Sequence, residues 1–588
     1  MRWNGRTRCA LVCVFFALLF SVFSYRLVYL QIWMYPYYKG LAAEKNVGRT
    51  VIQAERGAIY DAHDEVLAQN VPVATVVADG TLLNNPDALT PILATALHLP
   101  PDEIRQKIGG ARPYIVLKRE VPEAEARALE ATLAKNKLRG IRCERGTVRV
   151  YPNGSLLCHV VGFTDFHQHG IQGVEASMDQ YLRGEDGYRY IERDAQGREL
   201  VLYRGIEHPP RNGCQVHLTI DLHLQSIIED ELDAAVREYQ PEKATIILMR
   251  PQTGEILAMA NRPNFDLNLR SEAKPEQMKN RAIIDMMEPG STFKIVTAAS
   301  AINEGKVRLD SMIFCEHGVW NIGGRPLHDH GHVGYGDLSV QDILVHSSNI
   351  GAAKMAVMLG DQKFYEYIRR FGFGDRTGIE LPGEIGGVIH PPRSWSKISI
   401  TRIPMGQEVG VTPLQMIVAM ATIANGGKLI QPRIVKTIID DQGKTISELK
   451  PTFVRQVITP ETAAKIALAL RGVVSARGTA AEAAVPGFTV SGKTGTAQKA
   501  APGGGYEKDK YVVSFSGFLP SENPAFVGLV VLDDAHPKNP NLNYGGTIAA
   551  PIFSRVAEKA AQYLDLEPHE EIGTKDTAGR VALTDAHP

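Results

Sequence analysis

The chain has 588 residues, 44% of them hydrophobic and 22% charged, a globular composition too long for one core and suited to two to four domains. Its 64 Lys plus Arg against 65 Asp plus Glu leave a net charge of −1, which removes bulk electrostatics as a basis for nucleic-acid binding. Six cysteines, Cys9, Cys13, Cys143, Cys158, Cys214 and Cys315, form no C-x-x-C pair and no metal-ligand spacing. They read as unpaired, mostly buried thiols, and a disulfide among the last four cannot be paired from sequence.

From the N-terminus, Arg2, Arg6 and Arg8 precede the apolar run Ala10–Ser24, and Tyr25, Tyr29, Trp33, Tyr35, Tyr37 and Tyr38 crowd its exit. Residues 10–33 are long enough to cross a bilayer if Arg26 snorkels to the far interface. Basic residues before the span, with only Arg26 and Lys39 after it, put residues 1–9 in the cytoplasm and the bulk of the chain outside it. A cleaved signal peptide is the competing reading, but no small-x-small site directly follows the run.

Residues 45–205 form a polar, mixed α+β region with the landmarks Arg56-Gly57, Arg149-x-Tyr151 and Gly170/Gly173/Glu175. Pro209-Pro210-Arg-Asn-Gly213 marks a boundary, and 214–565 reads as one large α/β domain. Leu224, Ile228, Leu232 and Ala235 recur at helical spacing. Ala244–Met249 and Glu255–Ala260 flank Pro251-Gln-Thr-Gly254 as strand, turn and strand. Further strands are expected at Phe488–Val490, Tyr511–Phe518 and Phe526–Leu532. A last helix is expected from Pro551, with Ile552, Phe553, Val556, Ala560, Tyr563 and Leu564 on its buried face. Together these predict a five-stranded, largely antiparallel sheet flanked by terminal helices, with a helical subdomain inserted. Residues 566–588 are polar and expected to be disordered.

Four segments read S-x-x-K. Ser271–Lys274, Ser394–Lys397 and Ser447–Lys450 adjoin prolines and fit loops or helix ends. Ser291-Thr-Phe-Lys294 instead opens the apolar run Ile295–Ala299 after Glu288-Pro-Gly290, as the first turn of a buried helix. A serine hydroxyl needs a base within reach to act as a nucleophile, and i,i+3 spacing brings the two side chains onto one face.

Ser347-Ser348-Asn349 follows fifty-six residues later between two apolar helical runs. Alone it reads as ordinary helix capping, although a hydroxyl and an amide two residues apart suit proton relay and a grip on a substrate carbonyl. Val490-Ser-Gly-Lys493-Thr494-Gly495-Thr496 stands a further 146 residues on. Gly487–Thr494 formally satisfies the P-loop pattern, yet its interior Phe, Thr and Val prefer strands and a glycine-rich stretch rather than a helix follows. The better reading is the exposed edge of a strand lining a cleft. There Gly495 would admit a substrate backbone, while Lys493, Thr494 and Thr496 would meet a carboxylate.

S-x-x-K, S-x-N and K-T-G in this order resemble the motifs of penicillin-binding proteins and serine β-lactamases. With the N-terminal anchor, the landmarks above, Thr219-Ile-Asp221, Gly406–Gln415 and Tyr544-Gly-Gly546, the chain resembles a class B penicillin-binding protein over residues 10–565. Ser348–Gly351 and Val512–Pro520 are most similar to the division-type members, FtsI- and SpoVD-like, rather than to the elongation type. One departure is Asp61-Ala-His-Asp64, which lacks the usual Arg and Gly after the aspartate. No PASTA-type repeat domain follows.

The resemblance implies a non-catalytic pedestal at 45–205, a transpeptidase domain at 214–565 and a serine acyl-enzyme formed from D-Ala-D-Ala stem peptides. Ser291 would be the nucleophile, Lys294 the base, Ser347 the proton relay and Asn349 a substrate anchor. Lys493, Thr494 and Thr496 would hold the terminal carboxylate, with backbone N–H groups of Ser291 and Thr496 as oxyanion hole. It also implies β-lactam acylation, a role in septal wall synthesis, a SEDS-type glycosyltransferase partner of the FtsW or RodA kind, and no cofactor. His328-Asp329-His330-Gly-His332 has the look of a zinc cluster, but the resemblance makes Asp329 a structural loop residue, and no metal is expected. The alternatives are an elongation-type transpeptidase, a β-lactamase or D,D-carboxypeptidase, where water takes the acyl group, and a penicillin-binding sensor or scaffold without turnover.

Overall fold

The structure, a computed structural model, describes residues 4–38, 47–193, 199–332, 334–501 and 505–568. Lys39 and the expected disorder of 569–588 lie outside them. The chain divides into two compact units, one comprising residues 1–55 and 184–213, the other 56–183 and 214–588.

In the first unit the apolar run is helical from Gly5 to Val28 and continues as a π turn over Tyr29–Trp33. The helix begins earlier than the expected residue 10, so Arg6 and Arg8 ride on its first turns. The most apolar 18 residues of this 29-residue stretch have a mean hydropathy of 2.2, and none of them is buried. At 1.5 Å per residue the whole stretch is about 43 Å long, enough for a bilayer core of about 30 Å. A three-stranded antiparallel sheet, Val47–Ile52, Gly187–Arg193 and Glu199–His208, completes the unit.

In the second unit the long strand Val66–Ala78 pairs with Ile115–Pro122 and Ile141–Val150. Helices Pro86–Leu97 and Glu123–Lys135 cover it through Leu89, Leu93, Leu129 and Leu133. The ladder runs on through Ile59–Tyr60 and Gln215–Leu218 to Val435–Ile439, so strands of the 45–205 region and of the 214–565 region share one sheet.

The landmarks of the first region meet in a buried ion cluster. Arg56 and Arg149 each donate from Nε to one oxygen of Glu175 at 2.7 Å, and Arg56 also reaches Asp179 at 2.6 Å. The four charges cancel, which is what allows them inside. Asp61 closes its turn despite the departure in its motif: Oδ1 accepts from the His63 and Glu65 N–H groups, and Asp64 takes φ +68°.

The 214–565 region is built on helix α1 (Leu222–Tyr239), strands β1 (Lys243–Met249) and β2 (Ile256–Arg262), and helices α2 (Lys294–Asn303) and α3 (Asn349–Leu359). Strands β3 (Ser491–Ala500), β4 (Tyr506–Leu519) and β5 (Phe526–Asp533) and helix α4 (Ala549–Tyr563) complete it. The sheet order is β2-β1-β5-β4-β3, antiparallel throughout, with β3 at the edge.

Three local expectations shift. β3 starts at Ser491 rather than Phe488, because the Phe488 N–H turns back to the Val485 carbonyl. Helix α4 begins at Ala549, and Tyr563 is 37% exposed, stacked on His223 rather than buried. Of the stray S-x-x-K matches, Ser447 lies in the strand Thr445–Glu448 rather than in a loop or helix end. All six cysteines are free, with Cys158 and Cys315 buried, Cys143 and Cys214 half-buried, and Cys9 and Cys13 exposed.

Candidate active site

Ser291 sits in the 3-10 turn Gly290–Phe293 that leads directly into α2. In such a turn i and i+3 side chains eclipse, which stacks Ser291 over Lys294. Lys294 through Ile302 are all buried, so α2 is enclosed around its full circumference, as a central helix. Ser291 itself stays partly exposed.

The turn is held by close backbone contact. Gly290 has φ +56°, and Gly406, at φ +84°, lies so near that a Cβ there would stand 2.2 Å from the Gly290 carbonyl oxygen. This accounts for the Gly406 landmark: a side chain would displace the nucleophile's own turn.

Lys294 is fully buried, and its Nζ lies 2.5 Å from the Ser347 carbonyl oxygen, 2.8 Å from Asn349 Oδ1 and 3.1 Å from Ser347 Oγ. Burial, reinforced by the Lys493 charge and opposed by Asp329, holds its pKa well below the ordinary lysine value. A neutral amine donates only two protons, so the carbonyl and amide oxygens take those and its lone pair is left for a hydroxyl. Among the described residues the Ser291 hydroxyl makes no hydrogen bond. The expected Ser291–Lys294 contact is therefore open in the free enzyme, a common state of catalytic pairs before substrate binds.

Ser347 occupies the short joint between helices Val340–Val345 and α3, at φ +59°. That left-handed backbone is costly for serine, and it leaves Oγ between two amines, 3.1 Å from Lys294 Nζ and 3.0 Å from Lys493 Nζ. The joint is fixed by Asp329, whose carboxylate accepts from Ser348 Oγ at 3.0 Å, Asn349 N at 2.6 Å and Ile350 N at 3.0 Å. Within the histidine cluster, then, Asp329 serves as the N-terminal anchor of α3. The His332 side chain lies outside the described residues.

Lys493 is also fully buried, and burial lowers its pKa to about 7. Two amines bracketing one hydroxyl cannot both stay charged at low cost. Burial and the Lys493 charge both disfavour the charged form of Lys294, whereas burial alone acts on Lys493.

Thr494 Oγ1 lies 3.3 Å from Lys493 Nζ and 3.2 Å from Thr479 Oγ1. Thr496 Oγ1 accepts the Gly545 N–H at 3.1 Å, which leaves its own proton to donate. The missing side chain of Gly495, expected to admit a substrate backbone, admits the protein instead: a Cβ would meet Ser514 Oγ at 2.3 Å and Pro289 O at 2.9 Å. What remains open to an extended peptide is the free edge of β3.

Ser291, Lys294, Ser347, Asn349 and the Lys493–Thr496 strand thus come together from α2, the α3 joint and β3. Thr479 was not singled out in the sequence, because a lone threonine after glycine carries no spacing signal. The loop carrying Gly545 was visible only as Tyr544-Gly-Gly546.

A sequence profile described as the penicillin-binding protein transpeptidase domain matches residues 244–558, and one for the penicillin-binding protein dimerisation domain matches 51–218. The chain is 34% identical to "Stage V sporulation protein D" of Bacillus subtilis, over 96% of this chain and 87% of that protein. It is 31% identical to "Peptidoglycan D,D-transpeptidase FtsI" of Escherichia coli K12, over 88% and 85%. Among solved structures, penicillin-binding protein 3 of Mycobacterium tuberculosis complexed with ampicillin superposes with a TM-score of 0.70 at 27% identity, covering 91% of this chain and all of that one. With the transpeptidase match spanning more than half of its length and full-length relatives above 30% identity, this chain belongs to the class B penicillin-binding proteins.

Proposed function

We propose that this peptidoglycan D,D-transpeptidase works through a serine acyl-enzyme on Ser291, in septal wall synthesis, and that β-lactams acylate the same serine. The observation that carries the reading is Ser347 Oγ held between the amines of Lys294 and Lys493 at 3.1 and 3.0 Å, a proton path beside the one partly exposed serine of the turn.

In the first half-reaction neutral Lys294 takes the Ser291 proton as Oγ attacks the penultimate D-alanine carbonyl. The C–O bond forms, the C–N bond to the terminal D-alanine breaks, and Ser347 passes a proton to the departing nitrogen. Lys493, Thr494 and Thr496 hold the terminal carboxylate, Asn349 holds the acyl-side amide, and the N–H groups of Ser291 and Thr496 stabilise the oxyanion. In the second half an amine of another stem attacks the ester carbonyl, the new C–N bond replaces the C–Oγ bond, and the proton returns to Ser291. A β-lactam follows the first half and stops there.

The apolar Gly5–Trp33 helix fits a single-pass anchor, with the basic N-terminus on the cytoplasmic side and residues 45–205 and 214–565 as pedestal and transpeptidase domains outside it. Similarity to FtsI and stage V sporulation protein D supports the septal role and a SEDS-type glycosyltransferase partner at the pedestal.

The test is Ser291→Ala. Covalent uptake of labelled penicillin is expected to vanish, and cross-linked muropeptides are expected to fall in cells that depend on the variant. Persistent labelling would overturn the assignment. Shortened stems in place of cross-links from the wild type would mark a carboxypeptidase.

A further inference from the structure

Strand Val66–Ala78 pairs with Ile59 at Ala68 and then runs on to Ala78. At about 3.3 Å per residue, its end stands about 33 Å beyond that pairing. There three loops, 79–85, 109–114 and 136–142, knit into one braced tip. The Gly80 N–H donates to the Arg112 carbonyl and the Asp79 N–H to the Gly140 carbonyl, both at 2.7 Å. Asn84 holds the third loop twice, donating to the Lys137 carbonyl and accepting the Arg139 N–H, each at 2.9 Å. Beneath the tip lies a core of its own, with Leu89, Leu93, Leu129 and Leu133, separate from the main core.

The tip exposes two large apolar side chains, Leu82 at 62% and Tyr114 at 52%. Tyr114 is held as a fixed plate. Its hydroxyl donates to Glu144 at 2.9 Å, and Arg142, itself paired with Glu144 at 3.0 Å, lies over the ring with its guanidinium carbon 5.4 Å from the centroid. Arg142 is thereby neutralised. Exposed Arg112, Lys137 and Arg139 have no ion-pair partner among the described residues.

An aromatic plate on loops that carry three unpaired cations suits an acidic glycopeptide. The cations meet carboxylates, and the negative face of the ring meets the C–H groups of a sugar. A flat anionic bilayer is a poorer match, because Asp79 and Glu144 would face it together with the cations. An extended polymer can pass from one cation to the next.

We infer that this tip binds the peptidoglycan strand itself, away from the catalytic cleft, with Tyr114 against a sugar ring and Arg112, Lys137 and Arg139 on stem-peptide carboxylates. The inference rests on the peptidoglycan D,D-transpeptidase activity. A polymer held at the tip raises the effective concentration of its stems at Ser291 without any new contact there.

The full-length enzyme in detergent, its cleft first acylated with penicillin, would be sedimented with purified peptidoglycan sacculi over a range of salt concentrations. The unaltered enzyme is expected to bind, less tightly as salt rises. Arg112→Glu combined with Arg139→Glu is expected to lower the apparent affinity about tenfold and to flatten the salt dependence. Tyr114→Ala is expected to lower affinity while the salt dependence stays. Penicillin acylation rates of these variants should equal that of the unaltered enzyme, which shows that fold and cleft are intact. Absence of binding by the unaltered enzyme, or binding that the variants retain in full, overturns the proposal. So does binding to phosphatidylglycerol vesicles that the same variants lose, which would assign the tip to a bilayer. The reading of Ser291 fails separately, by absence of acylation in the unaltered enzyme, and sedimentation still reports on the tip.

Discussion

At the level of single residues, the site turns on two lysines that are both buried and both bonded to one hydroxyl. Burial alone depresses each, but they differ in what faces them. Lys493 lies beside threonines, and Lys294 faces the Ser347 carbonyl and the Asn349 side chain. On the proposed mechanism the substrate carboxylate needs the charged form of Lys493. Above about 7 that charge is lost, so second-order acylation rates with a penicillin, followed by stopped flow from about pH 5 to about pH 9, should fall on the alkaline side. An ester reporter without a carboxylate should lose that fall. A penicillin profile with no alkaline fall would remove Lys493 from carboxylate binding.

Between elements, what matters is how closely backbone meets backbone. The 3-10 turn of Ser291 rests on Gly406 on one side and on β3 on the other, where a Cβ on Gly290 would stand 2.9 Å from the Thr496 carbonyl oxygen. Gly406→Ala needs φ +84° from an alanine and puts its Cβ 2.2 Å from the Gly290 carbonyl oxygen, so the turn must shift. Displacements near 1 Å cost on the order of 10²-fold in rate. Penicillin acylation is expected to fall by about that factor while a circular dichroism spectrum stays that of a folded protein. An unaltered acylation rate would show that the turn is positioned by other contacts.

This is also the scale at which sequence and structure part. The helix behind Ser291 was legible because Ile295–Ala299 is apolar on every side, and the β1–β2 hairpin because Pro251–Gly254 is turn chemistry. The start of β3 was not: Phe488-Thr-Val490 has strand composition, but a turn from Val485 consumes its first backbone bond. Nor was the role of Gly495, since a glycine in a strand marks a close approach without saying from which side.

Across the whole molecule, the buried cluster Arg56–Glu175–Arg149 joins segments more than a hundred residues apart, beside a ladder that extends from Ile141–Val150 to Val435–Ile439. Glu175→Ala leaves two guanidinium groups buried without their shared counter-ion. Breaking such a cluster from one side costs about 3–5 kcal/mol. Chemical unfolding of the variant should show a loss of this size, and a change below about 1 kcal/mol would mean that water reaches the site.

What the sequence determined by itself was the order of S-x-x-K, S-x-N and K-T-G, the apolar helix and the sheet class, because periodicity and turn chemistry are local properties; the residues that meet were named by the resemblance those motifs carry. The tertiary structure alone decided that Ser347 lies between two amines and that Thr479, Gly545 and Gly406 support the site. Those are distances between segments tens to hundreds of residues apart, set by packing and burial.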